Sequence, residues 1–154
     1  MTAETVYRVL DSTLDAVTEV ENLAWEIAYR AGFRDLSLDH IGLAVHETAA
    51  NAVIHGNRFS PVKKIFVEIS VDRDGIEITI GDEGEGFDAR TLPDPFAPEG
   101  LLRGSGRGIY LARALMDEHR VRSRDGGGTQ ITLIKHSDQQ ECVEDVRLRL
   151  SGRV

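Results

Sequence analysis

From Lys64 to Ile80 the chain alternates between apolar and polar residues with a period of two, and this limits the available folds more than any other feature. Ile65, Val67, Ile69 and Val71 are interleaved with Lys64, Phe66, Glu68 and Ser70; after Asp74-Gly75 the pattern resumes with Ile76, Ile78 and Ile80 around Glu77 and Thr79. Such alternation predicts two half-buried strands, and an Asp-Gly pair between them predicts a hairpin. The hairpin has one apolar face, which must be covered by another layer.

The cover lies upstream, where the period changes. Ser12 and Asp15 form an N-cap pair that opens a helix. Within it Val20, Leu23, Ala24, Ile27, Ala28 and Ala31 fall on one side, Trp25 packs beside that stripe, and Gly32 suits the stop. A second helix is predicted from Leu38 to Ile54, with Ile41, Ala44, Val45, Ala49, Ala52 and Val53 inward and Gly56-Asn57 at its end. Tyr7 to Leu10 predicts a short first strand. Residues 93 to 108, rich in proline and glycine, predict a loop. A short helix carrying Ile109, Ala112, Leu115 and Met116 follows. Strands over Val121 to Arg124 and Thr129 to Lys135 come next, and a further strand is expected at Val146, Leu148 and Leu150. This order lacks the regular alternation of a doubly wound parallel sheet. It predicts an α+β two-layer sandwich with helices on one face of the sheet.

A length of 154 residues fits one domain. With 26 acidic against 18 basic side chains, the net charge of −8 argues against nucleic acid and anionic membranes as partners. A lone cysteine, Cys142, permits no internal disulfide. The amino terminus lacks a basic segment followed by an apolar one, so a cytoplasmic location is expected.

Three polar clusters remain. Glu47, Asn51 and His55 are spaced by four on the second helix and form one stripe, which taken alone reads as a solvated face. Chemically, Asn51 offers an oxygen to a hard cation such as Mg²⁺, and Glu47 is a proton acceptor. The second cluster is Gly81-Asp82-Glu83-Gly84-Glu85-Gly86, at the end of the hairpin. It lacks the ligand spacing of an EF-hand and reads either as an acidic turn or as a carboxylate placed to accept from an amino group such as that of adenine. The third, Gly104-Ser105-Gly106-Arg107-Gly108, precedes a helix and presents backbone N–H groups to an anion. It is neither a Walker loop nor a dinucleotide fingerprint.

Together the clusters have a family likeness. Glu47-x-x-x-Asn51, Asp82-x-Gly84-x-Gly86, Gly104-x-Gly106-x-Gly108 and Gly128-Thr129 resemble, in order and spacing, the motif boxes of the Bergerat-fold ATPases. The wording His46-Glu47-Thr48-Ala49-Ala50-Asn51-Ala52-Val53-Ile54-His55-Gly56, with Gly106-Arg107-Gly108-Ile109-Tyr110-Leu111 and Leu115-Met116-Asp117-Glu118, is similar to the anti-sigma-factor serine-protein kinases. The resemblance covers about residues 7 to 136. It implies a mixed sheet covered on one face by helices, with ATP and Mg²⁺ as cofactors.

Carried onto these positions, the resemblance makes Asn51 the Mg²⁺ ligand and Glu47 the base. Asp82 becomes the acceptor for the adenine amino group, with Gly84 and Gly86 shaping that pocket. Gly104, Ser105, Gly106, Arg107 and Gly108 become the phosphate wrap, and Thr129 a support at the adenine end. The implied activity is phosphorylation of a serine on an anti-sigma-factor antagonist protein. A sigma factor or similar regulator is the sequestered partner, and a homodimer is the expected assembly. The alternatives are a nucleotide-gated binding module without kinase activity and a detached histidine-kinase catalytic domain. Against the last, no dimerisation-helix pair carries a phospho-acceptor histidine. Residues 1–136 are read as the ATPase domain and 137–154 as an extension of open role.

Overall fold

The computed structural model describes residues 3–85 and 104–137, with only the backbone of 104–107. In chain order the elements are β1 (Glu4–Asp11), α1 (Leu14–Arg30), α2 (Asp35–Asn51), a π-helical turn (Ala52–Gly56), β2 (Lys64–Asp72) and β3 (Gly75–Gly81). Then come α3 (Gly104–Leu115), β4 (Glu118–Ser123) and β5 (Thr129–His136). The strands form one sheet in the order β1-β2-β3-β5-β4.

The predicted hairpin is present, with Val67 opposite Ile80, Ile69 opposite Ile78 and Val71 opposite Ile76. Its apolar positions are buried on one face together with Ile131 and Leu133 of β5. Helix α1 covers them with Ala16, Val17, Val20, Ala24, Ile27 and Ala28, and α2 with Leu38, Ile41, Ala44, Val45 and Ala49. The two-layer α+β architecture expected from the periodicities is therefore the one found.

Several details differ from the sequence expectation, among them β4, which begins at Glu118 rather than Val121. Every strand pairing is antiparallel rather than mixed. The connection through α3 brings β4 back in the direction of β3, but β5 turns round and inserts between them, so among the described residues no two parallel strands are neighbours. Helix α1 is capped by Thr13, whose Oγ1 accepts from the Ala16 N–H at 3.1 Å. The Ser12 hydroxyl is engaged elsewhere, donating to the Lys63 carbonyl at 3.0 Å. The glycine-rich segment expected to be loop up to residue 108 is helical from Gly104. Finally, α2 starts earlier than predicted, at Asp35, and after Asn51 its winding gives way to the π-helical turn Ala52–Gly56.

At the other end of α1 the expectation holds. Gly32 adopts φ +105° beyond the C-cap, and the Phe33 N–H reaches back to the Ala28 carbonyl at 3.0 Å. The expected strand at 146–150 lies outside the described residues.

Candidate functional site

Helix α2 and its π-turn connect the two described parts of the site. From Glu47 to Gly56 the helix advances about 13 Å, a length on the scale of a nucleoside triphosphate. Glu47 and Asn51 occupy successive turns and both are half-buried. Helix α3 meets them at Gly108: a Cβ added there would stand 2.7 Å from Oε2 of Glu47 and 3.4 Å from Nδ2 of Asn51. A side chain at 108 would displace the Glu47 carboxylate from this position. Nδ2 of Asn51 is buried without a hydrogen-bond partner among the described residues, an unsatisfied donor beside the Glu47 carboxylate. His55, the third residue of the predicted stripe, is exposed on the π-turn.

At the far end of the π-turn lies Asp82, just past β3 and 6% exposed. One carboxylate oxygen, Oδ1, accepts from the Gly84 N–H at 2.9 Å and from the Thr129 N–H at 3.2 Å. The Asp82 N–H in turn donates to the Thr129 carbonyl at 2.9 Å. The second oxygen, Oδ2, takes no hydrogen bond among the described residues and faces Gly56, where an added Cβ would stand 2.4 Å away. Burial raises the pKa of this carboxyl. The N–H groups of Gly84 and Thr129 and the charges of Arg124 and Lys63 oppose that shift. The result is a sheltered acceptor with one oxygen fixed by backbone and one open.

Three glycines make room around it. A Cβ on Gly84 would meet the Gly56 carbonyl at 2.2 Å, and one on Gly128, at φ +99°, would meet the Asp82 carbonyl at 1.9 Å. The sequence marks Gly84 as a candidate for shaping this pocket. Gly56 is not so marked, because a glycine at a helix end already has a sufficient reason to be there. Arg124, which lies 3.9 Å over the Phe66 ring beside Gly81, also gave no sequence signal.

The structure thus brings together Glu47, Asn51 and Gly108 at one end of the π-turn and Asp82, Gly84 and Thr129 at the other. Gly104 and Gly106 lie in the first turns of α3. The side chains of Ser105 and Arg107, and Gly86 altogether, are outside what is described.

This combination of a helix-covered antiparallel sheet, an acid and amide on successive helical turns, and a sheltered aspartate ringed by glycine defines a class of nucleotide-binding domain. Residues 10–135 match the histidine kinase-like ATPase domain, and the chain belongs to that family. Membership implies the use of ATP.

Within the family the chain is similar to the serine-protein kinase RsbW of Oceanobacillus iheyensis. The two are 32% identical over 125 residues, spanning 77% of this chain and 78% of that protein. It is also similar to the anti-sigma F factor of Halalkalibacterium halodurans, 29% identical over 136 residues, or 87% of this chain and 79% of the other. The fold is shared with the crystal structure of the RsbU and RsbW domains of a Mycobacterium tuberculosis protein. There the TM-score is 0.61 at 22% identity, covering 86% of this chain and 31% of that one.

Proposed function

We propose that the chain is a protein-serine kinase of the anti-sigma-factor type, which binds Mg-ATP between Asp82 and Glu47 and phosphorylates a serine of an antagonist protein. The observation that carries this reading is the Glu47 carboxylate and the Asn51 amide converging on Gly108, with Nδ2 of Asn51 unpaired among the described residues. A module that only binds nucleotide has no use for a base at that point. The names of the relatives, serine-protein kinase and anti-sigma F factor, support the same substrate class.

Adenine recognition falls to Oδ2 of Asp82, the oxygen its own backbone contacts leave open. At the other end the Glu47 carboxylate takes the proton of the attacking serine hydroxyl. Serine Oγ then bonds to the γ-phosphorus while the bond from that phosphorus to the bridging oxygen breaks, releasing ADP. Bound Mg²⁺ would supply charge neutralisation at the phosphates. Among the described residues no three His, Cys, Asp or Glu side chains gather into a cation cage. Asn51 would contribute a neutral amide oxygen, which with phosphate oxygens and water makes the all-oxygen donor set that Mg²⁺ takes. The N-terminal turns of α3, with Gly104, Ser105, Gly106, Arg107 and Gly108, are assigned to the phosphates.

A sigma factor or similar regulator is the partner whose release this phosphorylation controls, and a homodimer in the cytoplasm is the working form. Among the described residues no helix is long and apolar enough to cross a membrane. Residues 137–154 lie beyond the ATPase domain in this reading.

The test is incubation of the purified chain with labelled ATP and a candidate antagonist protein, reading label on serine. Labelling supports the kinase. Partner binding that depends on ATP without any labelling would favour the nucleotide-gated module instead.

Gly108→Ala probes the geometry of the same end. The atom its Cβ would strike is the tip of a flexible side chain, so nucleotide-free stability is expected to stay close to wild type. Displacing the Glu47 carboxylate should nevertheless slow serine labelling by about a hundredfold. Wild-type labelling by this variant would show that the carboxylate need not sit where it does.

A further inference from the structure

Asn57 follows the π-turn and is 1% exposed, yet it carries no role in the chemistry above. Its amide is fully used. Nδ2 donates to Ser12 Oγ at 2.5 Å and to the Lys64 carbonyl at 2.8 Å, while Oδ1 accepts from the Glu83 N–H at 2.8 Å. A carbonyl faces one end of the amide and an N–H faces the other, so only one orientation satisfies both. Glu83 closes the circuit, its Oε2 accepting from the Lys64 N–H at 2.7 Å. Residue 83 is therefore held from both its backbone and its side chain.

Its neighbours on either side are Asp82 and Gly84, whose own contact fixes the carboxylate. The residue preceding Asn57 is Gly56, which abuts both Asp82 and Gly84. The dipeptide 56–57 thus meets the tripeptide 82–84 along its length, glycine against carboxylate and amide against backbone.

A residue needed only to end a helix would not require this side chain. Its backbone N–H already bonds to the Ala52 carbonyl at 2.8 Å, whereas its side-chain partners are 45, 26 and 7 residues distant.

We propose that Asn57 is a positioning residue for nucleobase recognition, holding the Glu83 backbone so that the open oxygen of Asp82 faces the adenine amino group. The proposal rests on the reading of Asp82 as that acceptor. Ser12 provides the internal control: it shares the amide of Asn57 but has no contact with Glu83 among the hydrogen bonds of the described residues.

The experiment compares wild type, Asn57→Ala and Ser12→Ala by titration calorimetry with Mg-ATP and Mg-GTP, alongside the nucleotide-free melting temperature. Both variants should melt lower, because each leaves buried polar groups unpaired. Asn57→Ala should also lose about tenfold in ATP affinity with little change for GTP, so that the ATP-over-GTP preference shrinks by that factor. Ser12→Ala should keep the wild-type preference. Asn57→Ser, which leaves space for a water between the same groups, replaces Asn57→Ala if the latter does not fold.

A wild-type preference retained by the Asn57 variant would overturn the proposal while leaving Asp82 in place. An equal loss of preference in Ser12→Ala would overturn it as well, by showing that the network only supports the fold. A wild-type chain that binds ATP and GTP equally would remove the assignment of Asp82, and the proposal with it.

Discussion

Asp82→Asn is expected to abolish most of the ATP-dependent thermal stabilisation while leaving the nucleotide-free protein at least as stable as wild type at neutral pH. The orientation of the new amide follows from the contacts already in place. The N–H groups of Gly84 and Thr129 both donate to Oδ1, so the amide oxygen must take that position. Its NH₂ then occupies the place of Oδ2 and points a donor at the adenine amino group, also a donor. Losing a charge-assisted hydrogen bond and gaining an opposed pair of donors should lower affinity by about a hundredfold. At nucleotide about a hundredfold above the wild-type Kd, stabilisation of about 2.7 kcal/mol should fall to about 0.4 kcal/mol. GTP, which presents an oxygen at the equivalent ring position, should be disfavoured less by the variant than by wild type. A full ATP shift in Asp82→Asn, measured by calorimetric or dye-monitored melting, would remove Asp82 from the nucleotide site.

On the proposed assignment the same carboxyl should make ATP binding pH-dependent. Burial raises its pKa above 3.8, so the folded chain holds this proton more tightly than the unfolded chain does. Ionised Asp82 therefore subtracts from stability at neutral pH, and that deficit is relieved as pH falls through the raised pKa towards 3.8. ATP affinity should run the opposite way if Asp82 is the adenine acceptor, because protonation takes that acceptor away. The ATP-induced shift should decline on acidification in wild type, beginning above the usual range of an aspartate. Asp82→Asn should show only a small shift with no such decline.

What was legible in the sequence follows from the distance over which each signal acts. The hairpin and the inner faces of α1 and α2 are short-range periodicities, and the buried residues fall on them. The contact between Asp82 and Gly84 is of short range too, because the acid and the glycine lie two residues apart just past a strand. The π-turn leaves no such signal, since Ala52 and Val53 are buried under either winding and the apolar pattern is unchanged. Helix α3 was predicted to begin too late because its first residues, Gly104-Ser105-Gly106-Arg107-Gly108, have poor helix propensity. Packing against α2 overrides it, and Gly108 is suited there because a side chain would meet Glu47. Ser12 and Thr13 are both capping residue types, Ser the better of the two. The choice between them depends on Lys63 and Asn57, which lie far along the chain and leave no local trace.

Glu47→Ala is expected to bind ATP with nearly wild-type affinity and to label its protein partner on serine about a hundredfold to ten-thousandfold more slowly, the usual range for loss of a general base. The two effects separate because Glu47 is not assigned to hold the nucleotide. That falls to Asp82 at one end and, at the other, to Asn51 with the N-terminal turns of α3. Asn51→Ala should give the complementary result: weaker nucleotide affinity in the presence of Mg²⁺ and little change without it, since the amide assigned to the cation is gone. Comparing binding with and without Mg²⁺ against the initial rate of serine labelling places the three proteins on different axes. Glu47→Ala moves along the rate axis and Asn51→Ala along the Mg²⁺-dependent affinity axis. If Glu47→Ala labels as fast as wild type, the chain is a kinase whose base lies elsewhere. If neither wild type nor variant labels any partner whose binding responds to ATP, the carboxylate against Gly108 has no catalytic role.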